Sequence, residues 1–313
     1  TVAISASANC LITHVRHAAI GVTNYVETVA FYRDIWGLEV VAEAQDVTYL
    51  GCKAGGEAYA VRVRKAEEKR VDFFAFAVPG KGDVDALCSR LRTADVKIDR
   101  EPGPLQTPGG GYGFRFFDCD GRLIEISANV EMRPAVAIDP KQAVPLKLSH
   151  VVINSVDVLA TMEFYKAHLG LRLTDWMADM MCFLRCGTQH HVLAIAKGHK
   201  TSLNHISFEM GSLDAYMRGT GRLMRAMGRK PIWGPGRHAA GDNTFSYFAD
   251  PAGNIVEYTT ELETVDEATW NVRRFEASPE ASDLWGTAGS PFDEMVPTMI
   301  AGEDKGIWKS CPI

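Results

Sequence analysis

The chain has 313 residues, 46% hydrophobic and 23% charged, with a formal net charge of −6, the balance of a soluble globular protein of about two domains. The acidic excess excludes a nucleic-acid binder, which needs a basic footprint. No apolar run approaches the roughly 18 residues of a membrane span.

In chain order, the first element is a short apolar strand carrying His17. Thr23 is placed to cap a helix with Val26, Val29 and Ala30 on its apolar face, and Gly37 to stop it. Runs rich in β-branched and aromatic residues at 47–52, 59–63 and 72–78 read as strands. A helix over 83–95, a Gly/Pro-rich turn over 102–113 and two last strands complete the half. Residues 131–145 hold Pro134, Pro140 and Pro145 without any period and read as a linker. The same order then returns. A strand carries His150, and a helix follows with Ser155 as cap, Val158 and Met162 inward, and Gly170 as stop. Strands come at 181–186, 191–196 and 204–210, then a helix over 213–227, a turn over 231–241 and two final strands.

The two halves are copies. HAAIGVTNYVETVAFYRDIWGLEVV from residue 17 matches HVVINSVDVLATMEFYKAHLGLRLT from residue 150, an offset of 133. FFDCDGRLIEI (116–126) matches FADPAGNIVEY (248–258), and GGEAYAVRVRK (55–65) matches GTQHHVLAIAK (187–197), both at offset 132. The reading is an α+β chain of four strand-helix-strand-strand-strand (βαβββ) modules. They form an N-terminal domain over 12–131, a C-terminal domain over 146–262 and a tail over 263–313. The tail, with Trp270, Trp285 and Trp308, is expected to pack on a domain or a neighbouring subunit; a lid over an active site is the alternative. Seven scattered cysteines read as reduced thiols, and the segment before Leu11 lacks signal-peptide features, so a cytoplasmic protein is expected.

The histidines are lopsided: of nine, only His14 and His17 precede residue 140. The repeat shows where the copies part. The first carries Tyr59, Phe73, Gln106 or Thr107, and Arg115 where the second carries His191, His205, His238 and Tyr247. A requirement of the fold acts on both copies alike, so this concentration marks a site in the second.

On these residues the chain resembles the vicinal oxygen chelate superfamily. Within it, the likeness is to two-domain type I extradiol ring-cleaving dioxygenases of the catechol 2,3-dioxygenase and 2,3-dihydroxybiphenyl 1,2-dioxygenase kind. The likeness covers about residues 12–262 and includes a signature read here as GRHAAGDNTFSYFADPAGNIVE. It implies paired βαβββ modules curled into half-open barrels, with the metal in the C-terminal barrel. The implied ligands are His150, His205 and Glu257, a set that leaves three coordination positions open, as in non-haem Fe(II) oxygenases. Fe(II) is the implied cofactor, with Mn(II) as the alternative. His191 is implied at the oxygen position, and His238 and Tyr247 beside the substrate oxygens. His190, its strand neighbour, should face the other way and be structural or on the surface. Val152 and Phe183 are expected to line the pocket. Ser246 departs from the signature on the strand face away from the chemistry.

The implied reaction is extradiol ring cleavage of a di- or trihydroxylated aromatic with O₂. It would give a 2-hydroxymuconic-semialdehyde-type product in bacterial-style aromatic catabolism, in a homo-oligomer without nucleic-acid or membrane partners. The rivals are another activity of the superfamily (glyoxalase, epimerase or thiol transferase) or a non-enzymatic aromatic-binding protein.

Overall fold

In a computed structural model of the chain, residues 11–134, 136–289, 295, 298 and 301–312 are described. The segment before Leu11, with Cys10, and part of the tail lie outside the described residues. The first copy runs β1 (His14–Val22), α1 (Tyr25–Ala30) continuing as a π-helix (Phe31–Trp36), β2 (Leu38–Ala44), β3 (Val47–Cys52), β4 (Val61–Lys65), β5 (Arg70–Ala77), α2 (Lys81–Thr93), β6 (Ile98–Pro104), β7 (Tyr112–Phe117) and β8 (Leu123–Ala128). The second runs β9 (Lys147–Ser155), α3 (Val158–Leu169), β10 (Arg172–Met177), β11 (Met181–Arg185), β12 (Leu193–Lys197), β13 (Ser202–Glu209), α4 (Leu213–Met227), β14 (Trp233–Arg237), β15 (Thr244–Ala249) and β16 (Ile255–Thr259). The tail adds β17 (Arg273–Phe275) and α5 (Pro279–Ser282). Each copy is thus two βαβββ modules. Of the Gly/Pro-rich stretches read as turns, the first takes in the end of a strand, β6, and the second contains one, β14.

Each copy is one mixed sheet, ordered β2-β3-β4-β1-β5-β8-β7-β6 and β14-β15-β16-β13-β9-β12-β11-β10-β17. The modules join through their first strands, β1 against β5 and β9 against β13, both antiparallel. Side chains alternate across a strand, so each sheet has two faces of different character. One face of both sheets enters a single apolar core: Ala18, Ile20, Phe74, Phe76, Ile124 and Ile126 from the first copy, and Val151, Ile153, Ile206, Phe208, Val256 and Tyr258 from the second. The helices pack there too, through Tyr32, Trp36, Tyr165 and Leu169. The other face of each sheet is left free for something else. Among the described residues no helix is long and apolar enough to cross a membrane, and the six described cysteines are free.

The helix ends differ in part from expectation. Gly37 and Gly170 do stop their helices in the left-handed region (φ 97° and 71°), where a Cβ is disfavoured. The caps, however, are Asn24 and Asp157, not Thr23 and Ser155. Asp157 accepts from the Ala160 N–H at 3.0 Å, while Ser155 Oγ accepts from the Asp157 N–H one step earlier. Asn24 makes no cap bond: its amide nitrogen donates to the Pro251 carbonyl of the other copy at 2.7 Å, and its Oδ1 accepts from the Thr28 hydroxyl at 3.3 Å. Val26 is 72% exposed; the inward stripe runs Thr28, Val29, Tyr32 and Trp36 and leaves it on the solvent side.

The copies are clasped reciprocally. Tyr32 donates to Asp250 (3.0 Å), and its counterpart Tyr165 donates to Asp118 (2.8 Å). Each aspartate belongs to the turn before its copy's last strand, closed by Gly121 N–H to Asp118 O and by Gly253 N–H to Asp250 O. The tail then straps both copies. β17 pairs with β10 in parallel, and farther on the Trp308 N–H donates to Gly121 O while Asp304 accepts from the Val71 N–H.

The free face of the first sheet is filled. Register places Arg115, Glu125, Ala75 and His17 in one row across four strands. Arg115 Nε donates to Glu125 at 2.8 Å, and its guanidinium lies 4.1 Å from the centre of the Phe73 ring. His17 stacks on Tyr59 at 4.0 Å and bonds its hydroxyl at 2.9 Å. A fixed cation thus neutralises the buried carboxylate. Arg115→Met strands that charge and should cost about 3–5 kcal/mol of stability. Chemical denaturation measures it, and the metal content of the folded variant should equal that of the parent protein.

Candidate metal centre

The free face of the second sheet is built by the same register with other residues. One row reads Tyr247, Glu257, Ser207 and His150 across β15, β16, β13 and β9. A second reads His205, Val152, Ala194, Phe183 and Asp175 across β13, β9, β12, β11 and β10. Candidate ligands 55 and 52 residues apart in sequence meet because directly paired residues share a face.

His150, His205 and Glu257 are all buried and bring one donor atom each within 4.8 Å of one another. The Nε2 atoms of His150 and His205 stand 3.2 and 3.3 Å from the same Glu257 oxygen. His205 Nε2 and both Glu257 oxygens are nevertheless buried without a hydrogen-bond partner. The partners behind the rings explain this. Asn204 donates its amide to Asn154 Oδ1 (2.9 Å), which leaves Asn204 Oδ1 to accept from His205 Nδ1–H (2.8 Å). With its Nδ1 proton committed to Asn204, His205 turns Nε2 toward the carboxylate. Ser149 Oγ lies 3.0 Å from His150 Nδ1 and holds that ring from behind. Burial pushes the His150 pKa down against the pull of Glu257, so the ring is neutral. Two imidazoles and one carboxylate, buried and facing each other, are satisfied by a divalent cation.

Three other candidates surround the triad. The His191 ring lies 4.2 Å from that of His150, and burial, then the charges of neighbouring histidines, holds its pKa well below the ordinary value. His238, in the loop after β14, donates from Nδ1 to the Ser282 carbonyl of the tail (2.9 Å). A carbonyl only accepts, so His238 Nε2 bears the lone pair and the Tyr247 hydroxyl donates to it at 3.0 Å. Burial lowers the His238 pKa to about 4, and burial, then Glu257, raises that of Tyr247, so both rest neutral. Val152 and Phe183 sit on the ligand face in an apolar cluster with Ala194, Ala196 and Ala240. Ser246 turns away, its hydroxyl 2.7 Å from that of Tyr216 on α4.

One expectation fails. His190 and His191 precede β12 instead of lying on it, and their rings meet at Nδ1, 2.9 Å apart, instead of facing opposite ways. His190 is fully buried, so it is no surface residue. Asn204, Ser149 and the Ser282 carbonyl escaped sequence reading; the first two adjoin ligands in the chain, and the third is a main-chain group without any signal.

Residues 14–126 and 147–258 each match the Glyoxalase/Bleomycin resistance protein/Dioxygenase superfamily. The chain belongs to this superfamily. Metapyrocatechase 2 of Cupriavidus necator is 26% identical over 298 residues, 87% of this chain and 90% of that one. The manganese-dependent 2,3-dihydroxybiphenyl 1,2-dioxygenase of Geobacillus genomosp. 3 is 23% identical, over 75% of this chain and 80% of its own. Among solved structures, the Mn(II)-bound glyoxalase from Novosphingobium aromaticivorans superposes with a TM-score of 0.90 at 39% identity, covering 96% of this chain and 98% of that one.

In this superfamily member, Glu257→Gln and His205→Ala should each lose divalent metal to background, measured by elemental analysis of the purified protein. Added Mn(II) should raise the melting temperature of the parent and of neither variant. Undiminished metal in Glu257→Gln would place the centre elsewhere.

Proposed function

We propose that this chain is an extradiol dioxygenase that opens a catechol-type di- or trihydroxylated ring with O₂ to a 2-hydroxymuconic-semialdehyde-type product. The observation that carries the reading is the gathering, in one copy only, of two buried histidines, one carboxylate, a third histidine beside them and a hydrogen-bonded His238–Tyr247 pair. The named relatives that cleave aromatic diols support it. His150, His205 and Glu257 would hold Fe(II), with Mn(II) as the alternative, and that ion supplies chelation of the ring oxygens and an electron path from ring to O₂.

The chain's own residues do the rest. As the Tyr247 hydroxyl turns from His238 Nε2 to the substrate oxygen, that nitrogen becomes the acceptor for the substrate hydroxyl proton, and Tyr247 orients the same oxygen. His191 stands beside His150 as the group that gives and takes a proton at the reacting oxygen. Val152, Phe183, Ala194, Ala196 and Ala240, backed by Met177, Met181 and Phe275, exclude water and present a non-polar wall. In the first copy Arg62 pairs with Ala19 and Tyr49 where Ala194 pairs with Val152 and Phe183 in the second. The alanine leaves the room that the arginine takes up. A glyoxalase-type reaction is less well served: among the described residues no fourth Asp, Glu, His or Cys joins the triad. The same reading carries a cytoplasmic homo-oligomer acting on a small aromatic diol.

Anaerobically iron-loaded protein, given a catechol and then air, should consume O₂ and form a yellow product. Methyl-substituted catechols should be turned over with higher kcat/KM than carboxylated ones. No O₂ uptake with any diol would end the extradiol reading. His191→Ala should keep its iron and lose about 100-fold or more in kcat; equal loss of iron and activity would make His191 a ligand instead.

A further inference from the structure

Behind His191 the second sheet holds a polar chain that the first copy lacks. His190 Nδ1 lies 2.9 Å from His191 Nδ1, and His190 Nε2 lies 2.7 Å from Asp175 Oδ2. Asp175 is buried on β10. Its Oδ1 accepts the Arg273 backbone N–H at 2.8 Å, and its Oδ2 accepts Nη2 of the same residue at 2.6 Å. That guanidinium also donates to Glu263, at 2.6 and 3.1 Å, and lies 4.3 Å from the centre of the Trp270 ring. Arg273 belongs to the tail strand β17, directly opposite Asp175.

Asp175, His190 and Glu263 approach closely enough to resemble a second metal site. Arg273 bridges both carboxylates, so the cluster already holds its cation. Its logic is instead one of protons. Burial raises the Asp175 carboxyl, but bonds from His190 and Arg273 outweigh it, and the group is an acceptor-only carboxylate. His190 must then donate from Nε2, and a ring that carries its one proton there has its lone pair on Nδ1. That lone pair takes the proton of His191 Nδ1, so the lone pair of His191 is on Nε2.

We propose that His190, locked by Asp175 and Arg273, is a positioning residue that fixes the ring orientation and tautomer of His191, keeping Nδ1–H turned inward and Nε2 free for the reaction. This rests on the reading of His191 as the acid–base group. The repeat supports it independently. The positions of His190 and Asp175 are Ala58 and Ala42 in the first copy, at the same offsets of 132 and 133 as the surrounding match. The strands carry the same irregularity there, between Val40 and Ala42 and between Leu173 and Asp175. The backbone therefore accepts alanines at both positions; in the second copy Asp175 also anchors Arg273 of the tail, and the imidazole is the group that links that anchor to His191. In the first copy the residue at the place of His191 is Tyr59, which takes His17 as its partner and needs no relay.

The test compares His190→Phe with His190→Gln, whose amide can both accept from His191 and donate to Asp175. In metal-free protein with ¹⁵N-labelled histidine, the His191 signals are assigned by their loss in His191→Ala. His191 should be protonated at Nδ1 in the parent and the Gln variant, and at Nε2 in the Phe variant. With iron loaded, His190→Phe should keep its metal and KM and lose about 10–100-fold in kcat, while His190→Gln recovers most of it. Should Phe prevent folding, His190→Leu removes the same acceptor. Nε2 protonation of His191 in the parent, or an unchanged tautomer and kcat without His190, overturns the proposal. A fall in kcat with the tautomer unchanged assigns His190 a merely structural role and overturns it too. If the parent protein takes up no O₂ with any diol, the extradiol reading fails, and the tautomer measurement still decides this one.

Discussion

The structure depends on one geometric constraint: a strand shows alternate residues to opposite faces, and pairing fixes which residues share a face. In each copy one face is committed to the common core, so everything chemical must happen on the other. A slip of one residue between β9 and β13 would send His150 into the core and Val151 to the site. The irregularities in that pairing, between Leu203 and His205 and between Ser207 and Phe208, are thus part of how both histidines come to face Glu257.

Within that frame, acceptor-only oxygens do the fine adjustment. Asn204 Oδ1 and the Ser282 carbonyl each take a proton from Nδ1 of a site histidine and expose its Nε2. Neutral imidazoles in a dry site have no fixed tautomer of their own; a neighbour with lone pairs and no proton imposes one. The tail takes part through a main-chain group, so it contributes to the site without bringing a reactive side chain. The two copies show the alternatives side by side. One interior balances its buried glutamate with an arginine, and the other leaves the carboxylate facing two imidazoles.

The duplication, the βαβββ modules and the asymmetry of His and Tyr between copies were legible in the sequence, because a repeat offers its own control. The extents of helix 213–227 and strand 47–52 were legible too, as strongly patterned segments. Helix caps were not: Asn24 is drawn to the other copy and Asp157 outcompetes Ser155, choices made by tertiary contacts. The relation of His190 to His191 was misjudged because both were assumed to lie on a regular strand, where neighbours diverge. In the bend before β12 they converge. Comparing His190 and Asp175 with Ala58 and Ala42 was open to sequence reading, but only knowledge of the β10–β12 arrangement shows that the two positions meet.

The exchanged Tyr32–Asp250 and Tyr165–Asp118 bonds bear on how such chains can be recombined. The turn that leads into β16, and so to Glu257, is closed by a tyrosine from the half that carries no site. A chimera joining the first half of one relative to the second half of another would inherit two clasps whose partners never adapted to each other. Any misfit would be felt at the carboxylate. Cutting the chain at the linker would leave Asp250 without its tyrosine, so the smallest portable unit of this chemistry is the whole duplicated chain and not the half that bears it.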